Sequence, residues 1–176
     1  MTVTAVADPA FDDSTLDEAV HRAIDAWGSE PTQLLQVLRE VQETLGFLPS
    51  PALARIARAL AVPIARVRGV VAFYSFLYAE PRGAYRVLFS DNVTDRMRGS
   101  ASRLEEMCHR LWVEPGKVSE DGLVSIDRTS CIGMGDQAPA VLVNGRPVPR
   151  VDAARARQLC DLMLSRVPLD EWPREM

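Results

Sequence analysis

The sequence predicts an α/β protein in two parts, an N-terminal four-helix unit followed by a small α/β sandwich. Three observations predict it. Apolar residues recur at helical spacing in four successive stretches before residue 80. Pro81-Arg82-Gly83 then breaks that pattern. From Ala84 the period changes to two, with Tyr85, Val87 and Phe89 alternating with Arg86 and Leu88. The expected domains are residues 1–80 and 81–176.

The helices follow in order. Ser14 and Asp17 resemble a capping box, and Leu16, Val20, Ile24 and Trp27 form a stripe that Gly28 ends. A second helix follows Pro31, with Leu34, Leu35, Val37, Leu38, Val41 and Leu45 inward and Gly46 as its stop. Ser50-Pro51 reads as an N-cap and first helical residue, ahead of Leu53, Ile56, Ala57 and Leu60. Pro63 starts a fourth helix through Ile64, Val67, Val70, Val71 and Phe73 to about Phe76.

In the second half, residues 90–99 read as a loop and residues 100–112 as a helix with Leu104, Met107, Cys108 and Leu111 inward. Residues 122–127 and 140–143 read as strands. Asn144-Gly145 is a hairpin turn that lets Val148 pair back. Residues 152–167 form the closing helix, burying Ala156, Leu159, Cys160, Met163 and Leu164.

Composition excludes several classes. At 47% hydrophobic and 25% charged, the 176 residues suit an ordinary globular protein. The net charge of −4 does not suggest affinity for nucleic acid. The first fourteen residues lack the basic residue and apolar run of a signal peptide. The uncharged stretch 69–79 is too short to span a bilayer, so no membrane insertion is expected. Three widely spaced cysteines fit free thiols and a cytoplasmic location. Charge is uneven: residues 1–50 carry a net −7 and residues 51–98 a net +5. Lys117 is the only lysine beside nineteen arginines, which fits a GC-rich genome or a use of guanidinium forks at interfaces.

Few residues carry chemistry. His21 and His109 lie on different helices, and no two cysteines fall within twenty residues of each other. Cys108 and Cys160 sit on apolar helix faces and read as core. Cys131 alone is in a loop, without a nearby histidine or a C-x-x-C partner. No phosphate-binding glycine loop is present.

That loop belongs to a larger pattern. Residues 35–42 read LQVLREVQ, followed by Leu45-Gly46-Phe47-Leu48-Pro49 and then Gly69-Val70-Val71-Ala72-Phe73-Tyr74-Ser75-Phe76. Asp121-Gly122-Leu123, Cys131-Ile132-Gly133 and Ala138-Pro139 complete it. In this order and spacing, residues 31–166 resemble the thioredoxin-like [2Fe-2S] subunit of respiratory NADH dehydrogenase. The same unit occurs in the diaphorase modules of NAD-linked hydrogenases and formate dehydrogenases. The resemblance implies a thioredoxin-like fold for the second domain. It also implies a cluster held by two cysteine pairs, which fall here on Ser90 with Asp95 and on Cys131 with Gly135. Only one of these four positions is a cysteine, and a [2Fe-2S] cluster takes four ligands.

The expected function is therefore an accessory, cluster-free subunit of a cytoplasmic NAD-dependent oxidoreductase complex, non-catalytic by itself. The resemblance implies a flavin- and NAD-binding partner subunit and further iron–sulfur subunits. FMN, NAD and clusters are then carried by the partners and no cofactor by this chain. Two alternatives stand beside it. One is a [2Fe-2S] electron-transfer subunit using Cys131, Ser90 and Asp95 plus a further ligand. The other is a thiol-redox enzyme using Cys131. The expected docking surface is the helical unit. Arg55, Arg58, Arg66 and Arg68 supply charge there, and Phe73, Tyr74, Phe76 and Tyr78 supply aromatic anchors. The competing reading of these aromatics is core packing between the two halves.

Overall fold

The structure, a computed structural model, describes residues 11–173. The sequence reading of residues 1–10 lies outside the described residues. The chain divides into two compact units, Met1–Pro81 and Arg82–Met176.

The first unit packs α1 (Asp13–Trp27), α2 (Leu34–Leu45), α3 (Ser50–Ala59) and α4 (Ile64–Phe73) around one apolar core. Leu16, Val20, Val37, Leu38, Val41, Leu53, Ile56 and Val67 meet there. The cap of α1 is Asp12 rather than Ser14. Its Oδ1 accepts the Thr15 N–H at 2.8 Å, because a carboxylate suits the positive end of the helix. Trp27 stays exposed and donates its indole N–H to Glu40 instead of joining the core. Pro49, not Ser50, stands at the N-cap of α3. A turn of 3-10 helix, Pro31–Gln33, leads into α2, and Gly46 ends it with a φ of 84°.

α4 stops at Phe73, three residues before the sequence suggests. The segment beyond it is tied instead to Gln42, a buried polar side chain on α2. Its Nε2 donates to the Phe76 carbonyl at 2.8 Å and its Oε1 accepts the Tyr78 N–H at 2.7 Å. Backbone groups satisfied by that amide no longer need a helical partner.

The second unit holds a four-stranded sheet in the order β2-β1-β3-β4, built from β1 (Tyr85–Ser90), β2 (Val124–Thr129), β3 (Val141–Val143) and β4 (Arg146–Val148). β1 runs parallel to β2, with Val87 opposite Ile126, and antiparallel to β3, with Phe89 opposite Val141. The crossover from β1 to β2 carries α5 (Val93–Met97) and α6 (Ser100–Arg110). α7 (Ala153–Leu164) follows the hairpin. The helices and four-stranded mixed sheet are those of the small α/β unit that the sequence predicts.

Several details depart from the sequence reading: β2 starts at Val124 and runs to Thr129 rather than over residues 122–127, and Leu164, read as buried on the closing helix, is exposed. The segment read as a loop over residues 90–99 contains α5, started by Asn92. Its Oδ1 accepts the Thr94 N–H at 2.8 Å and the Asp95 N–H at 3.1 Å. The helices α6 and α7 end at Arg110 and Leu164, short of Trp112 and Val167. Trp112 has a φ of 52° and turns outward. Asn144 and Gly145 both take positive φ, as a two-residue hairpin turn requires. The Asn144 amide also ties the turn to β1, accepting the Arg86 N–H and donating to the Ala84 carbonyl. Among the described residues, no helix is long and apolar enough to cross a membrane.

Candidate functional site

The site of interest lies where β1 ends and α5 begins. Ser90, the last residue of β1, and Asp95, on the inner side of α5, are each 1% exposed. Ser90 Oγ donates to Asp95 Oδ2 at 2.6 Å. The other carboxylate oxygen, Oδ1, accepts the Ala140 N–H at 3.2 Å. Asn92 Nδ2 reaches Ser90 Oγ at 3.4 Å. The carboxylate thus joins the start of α5 to the segment entering β3. A buried polar group needs such partners to offset its lost hydration.

The other two positions are placed differently. Cys131 is exposed, and its Sγ accepts the Gly133 N–H at 3.3 Å. Gly135 opens a 3-10 turn, Gly135–Gln137, that lies against α5. A Cβ there would meet only the Thr94 hydroxyl, 4.0 Å away. Ser90 and Asp95 are therefore brought together with each other, while Cys131 faces outward and Gly135 contributes no side chain.

This donor set does not fit a [2Fe-2S] cluster. Such a cluster needs four ligands, mostly thiolates. Here there is one thiol, a serine hydroxyl already given to a carboxylate, a carboxylate engaged at both oxygens, and a glycine. Among the described residues, no group of three His, Cys, Asp or Glu side chains converges in a way that would hold a metal ion.

Nor do the cysteines form a redox pair. Burial pushes the Cys108 thiol up to about 11 and the Cys160 thiol up to about 12, so neither supplies a thiolate at neutral pH. Among the described residues no base is bonded to Cys131.

The arginines and aromatics of the helical unit divide. Arg55 turns onto α1 and pairs with Asp17 and Asp13, so part of the uneven charge is satisfied within the unit. Arg66 is exposed and its side chain bonds nothing among the described residues, and the Arg68 side chain reaches only Ser50 Oγ at 3.3 Å. Phe73 is 79% exposed and meets Tyr74 edge-on at 5.0 Å. Tyr74 is half-buried and packs on Phe76 at 5.2 Å. Tyr78 is core and offers no anchor, because Gln42 and Leu48 draw its backbone inward. The sequence reading missed Gln42 and the Ser90–Asp95 bond. Asn92 followed three residues later by Asp95 was the available signal for α5.

A second short network borders the site. Asp91 accepts from Arg96 through both oxygens, at 2.9 and 3.0 Å, and from Arg128 at 3.4 Å. The Arg96 hydrogen bonds hold the Asp91 carboxyl below its ordinary value.

Comparison with known proteins adds the lineage. The family described as thioredoxin-like [2Fe-2S] ferredoxin matches residues 20–163. NADH-quinone oxidoreductase subunit 2 of Thermus thermophilus is 30% identical over 127 residues, covering 72% of this chain and 70% of that protein. The alpha subunit of the NAD-reducing hydrogenase HoxS of Cupriavidus necator is 26% identical over 129 residues, 73% of this chain. A crystal structure of an NAD+-reducing [NiFe]-hydrogenase in the air-oxidized state superposes with a TM-score of 0.72 at 34% identity, over 81% of this chain. The chain spans 21% of the hydrogenase alpha subunit and 24% of the crystallised hydrogenase chain.

Proposed function

The chain belongs to the thioredoxin-like [2Fe-2S] ferredoxin family, and from that membership we propose that it is an accessory, cluster-free subunit of an NAD-dependent oxidoreductase complex. The observation that carries this reading is the state of the four ligand positions. Ser90 and Asp95 are committed to each other, Gly135 has no side chain, and Cys131 is left alone. A chain of this kind contributes surface and shape to its complex rather than a redox centre. The relatives' names, NADH-quinone oxidoreductase and NAD-reducing hydrogenase, support such a complex as the setting. The complex is a cytoplasmic diaphorase module of hydrogenase or formate dehydrogenase type. Its flavin- and NAD-binding subunit is the direct partner, and FMN, NAD and iron–sulfur clusters belong to the partners.

Docking runs through the helical unit. Arg66 and Arg68 on α4 lack carboxylate partners among the described residues, and Phe73 at the end of the same helix and Phe76 just after it expose apolar surface. Guanidinium groups beside exposed aromatic rings suit a partner surface bearing carboxylates. The test is purification of the tagged chain with its partners, identified by mass spectrometry. A flavoprotein should co-purify. Charge reversal of Arg66 and Arg68 together should weaken its binding by more than one exposed ion pair would, beyond about 1 kcal/mol. The circular dichroism spectrum should not change. Full recovery of the flavoprotein by that variant would exclude this face.

A further inference from the structure

We propose that the cleft at the carboxyl ends of β1 and β2 is an oxyanion site that takes a phosphate group, held by the first N–H groups of α6, the Ser100 hydroxyl and Arg128. It does not depend on the function proposed above, since every residue of it lies in the second unit.

The topology places it. β1 and β2 run parallel, and α5 with α6 forms the crossover between them. α6 therefore starts beside the strand ends at which α/β sheets gather ligands. Ser90 and Asp91 at the end of β1, Arg128 on β2, and Ser100 and Ala101 on α6 line a half-open cleft there, above Phe89 and Leu104. Its free space is about 150 Å³ with the open mouth included, and no part of it yet admits a free water. The start of α6 is built without a cap. Gly99 stands at the N-cap and offers no side chain, and the first turn holds no acidic residue. The N–H groups of Ser100, Ala101 and Ser102 have no acceptor among the described residues. Such groups, at the positive end of a helix of eleven residues, favour an anion.

Two side chains add to the helix end. Ser100 is 2% exposed, and its Oγ bonds nothing among the described residues. Buried hydroxyls are ordinarily paired, and an anion's oxygen in this cleft would accept from this one. Arg128 stands opposite Phe89 in the parallel pair, with its side chain about half exposed. It reaches Asp91 at only 3.4 Å. Asp91 is the carboxylate of the cleft wall, and Arg96 already neutralises it through both oxygens, at 2.9 and 3.0 Å. Arg128 can therefore leave Asp91 for a ligand at little cost, and that swing widens the mouth. The donors select the ligand. Three N–H groups, a hydroxyl and a guanidinium fork exceed what the two oxygens of a carboxylate accept, and they suit the three oxygens of a phosphate group.

The experiment follows the backbone amide signals of the full-length chain by NMR as inorganic phosphate is added at constant ionic strength, with chloride as the control anion. The signals of Ser100, Ala101 and Ser102 should move and saturate at roughly millimolar phosphate, as a ligand of few atoms allows, and chloride should leave them in place. Arg128→Gln should weaken binding about tenfold or more, the worth of one charge-assisted hydrogen bond. Ser100→Ala should also weaken it. That variant should still unfold at the urea concentration of the wild type or higher, because it removes a hydroxyl that nothing satisfies. Adenosine monophosphate in place of inorganic phosphate separates the two sources of the group. Tighter binding assigns the site to the phosphate of a nucleotide, equal or weaker binding assigns it to the free ion, and both uphold the site. Unmoved signals at the start of α6, the same movement in chloride, or wild-type affinity in either variant would overturn it.

Discussion

Ser90 Oγ donates a hydrogen bond of 2.6 Å to Asp95 Oδ2, and both residues are closed off from solvent. That one contact joins two of the four positions that the sequence resemblance assigns to cluster ligands. With the Ala140 N–H on the second carboxylate oxygen, the strand end, the short helix and the entry to β3 are joined by the chain's own groups.

Asp95→Ala should destabilise the α/β unit. It leaves the Ala140 N–H and the Ser90 hydroxyl buried without their acceptor, at a cost of about 1–3 kcal/mol for such groups. Asp95→Asn, which can rebuild both bonds, should cost less. Urea unfolding of the two variants checks the order.

Cys131→Ser should be nearly silent. The side chain is exposed and its sulfur meets only the Gly133 N–H among the described residues, so the change in stability should stay within about 0.5 kcal/mol. Assembly and NADH–dye activity of the complex should match wild type. Loss of that activity in an assembled complex would give Cys131 a redox or ligand role.

Gly83→Ala should be damaging although the change is one methyl group. A Cβ at residue 83 would sit 2.6 Å from the Ser125 nitrogen and closer still to the Val124 carbonyl carbon. Those are backbone atoms at the start of β2, so neither can swing aside. The strand pair must shift, at about 1–3 kcal/mol or more. Thermal unfolding of Gly83→Ala beside Gly69→Ala gives the contrast. Residue 69 has open space, and alanine there should slightly favour α4.

Acid should loosen the second unit through Asp91 and Asp121. Hydrogen bonds from Arg96 lower the folded value of Asp91 below 3.8, and those from Ser119 do the same for Asp121. A depressed folded value means the stabilisation is present above the unfolded value and is lost as pH falls through the folded one. Urea midpoints should therefore be flat above about pH 5 and fall below about pH 4. Asp91→Asn should flatten part of that fall.

The helical unit was legible because long amphipathic stripes announce themselves. Leu34, Val37, Leu38, Val41 and Leu45 recur at helical spacing and are buried together. The hairpin was legible because Asn144-Gly145 suits the positive φ values of the turn. α5 was not, because five residues are too few for a period and its start rests on a single Asn92 side chain. Gln42 escaped notice because a glutamine beside an apolar stripe ordinarily faces water. Only the fold brings the Phe76 carbonyl and Tyr78 N–H to it. That Ser90 and Asp95 bond each other, rather than converge with Cys131, depends on the turn of α5.

The most direct measurement is iron and acid-labile sulfide per chain, with a visible spectrum, on protein purified without oxygen and after cluster reconstitution. The donor set predicts a colourless chain with no stoichiometric iron, folded equally well with or without a chelator. About two irons per chain with a visible band that bleaches on reduction would contradict it.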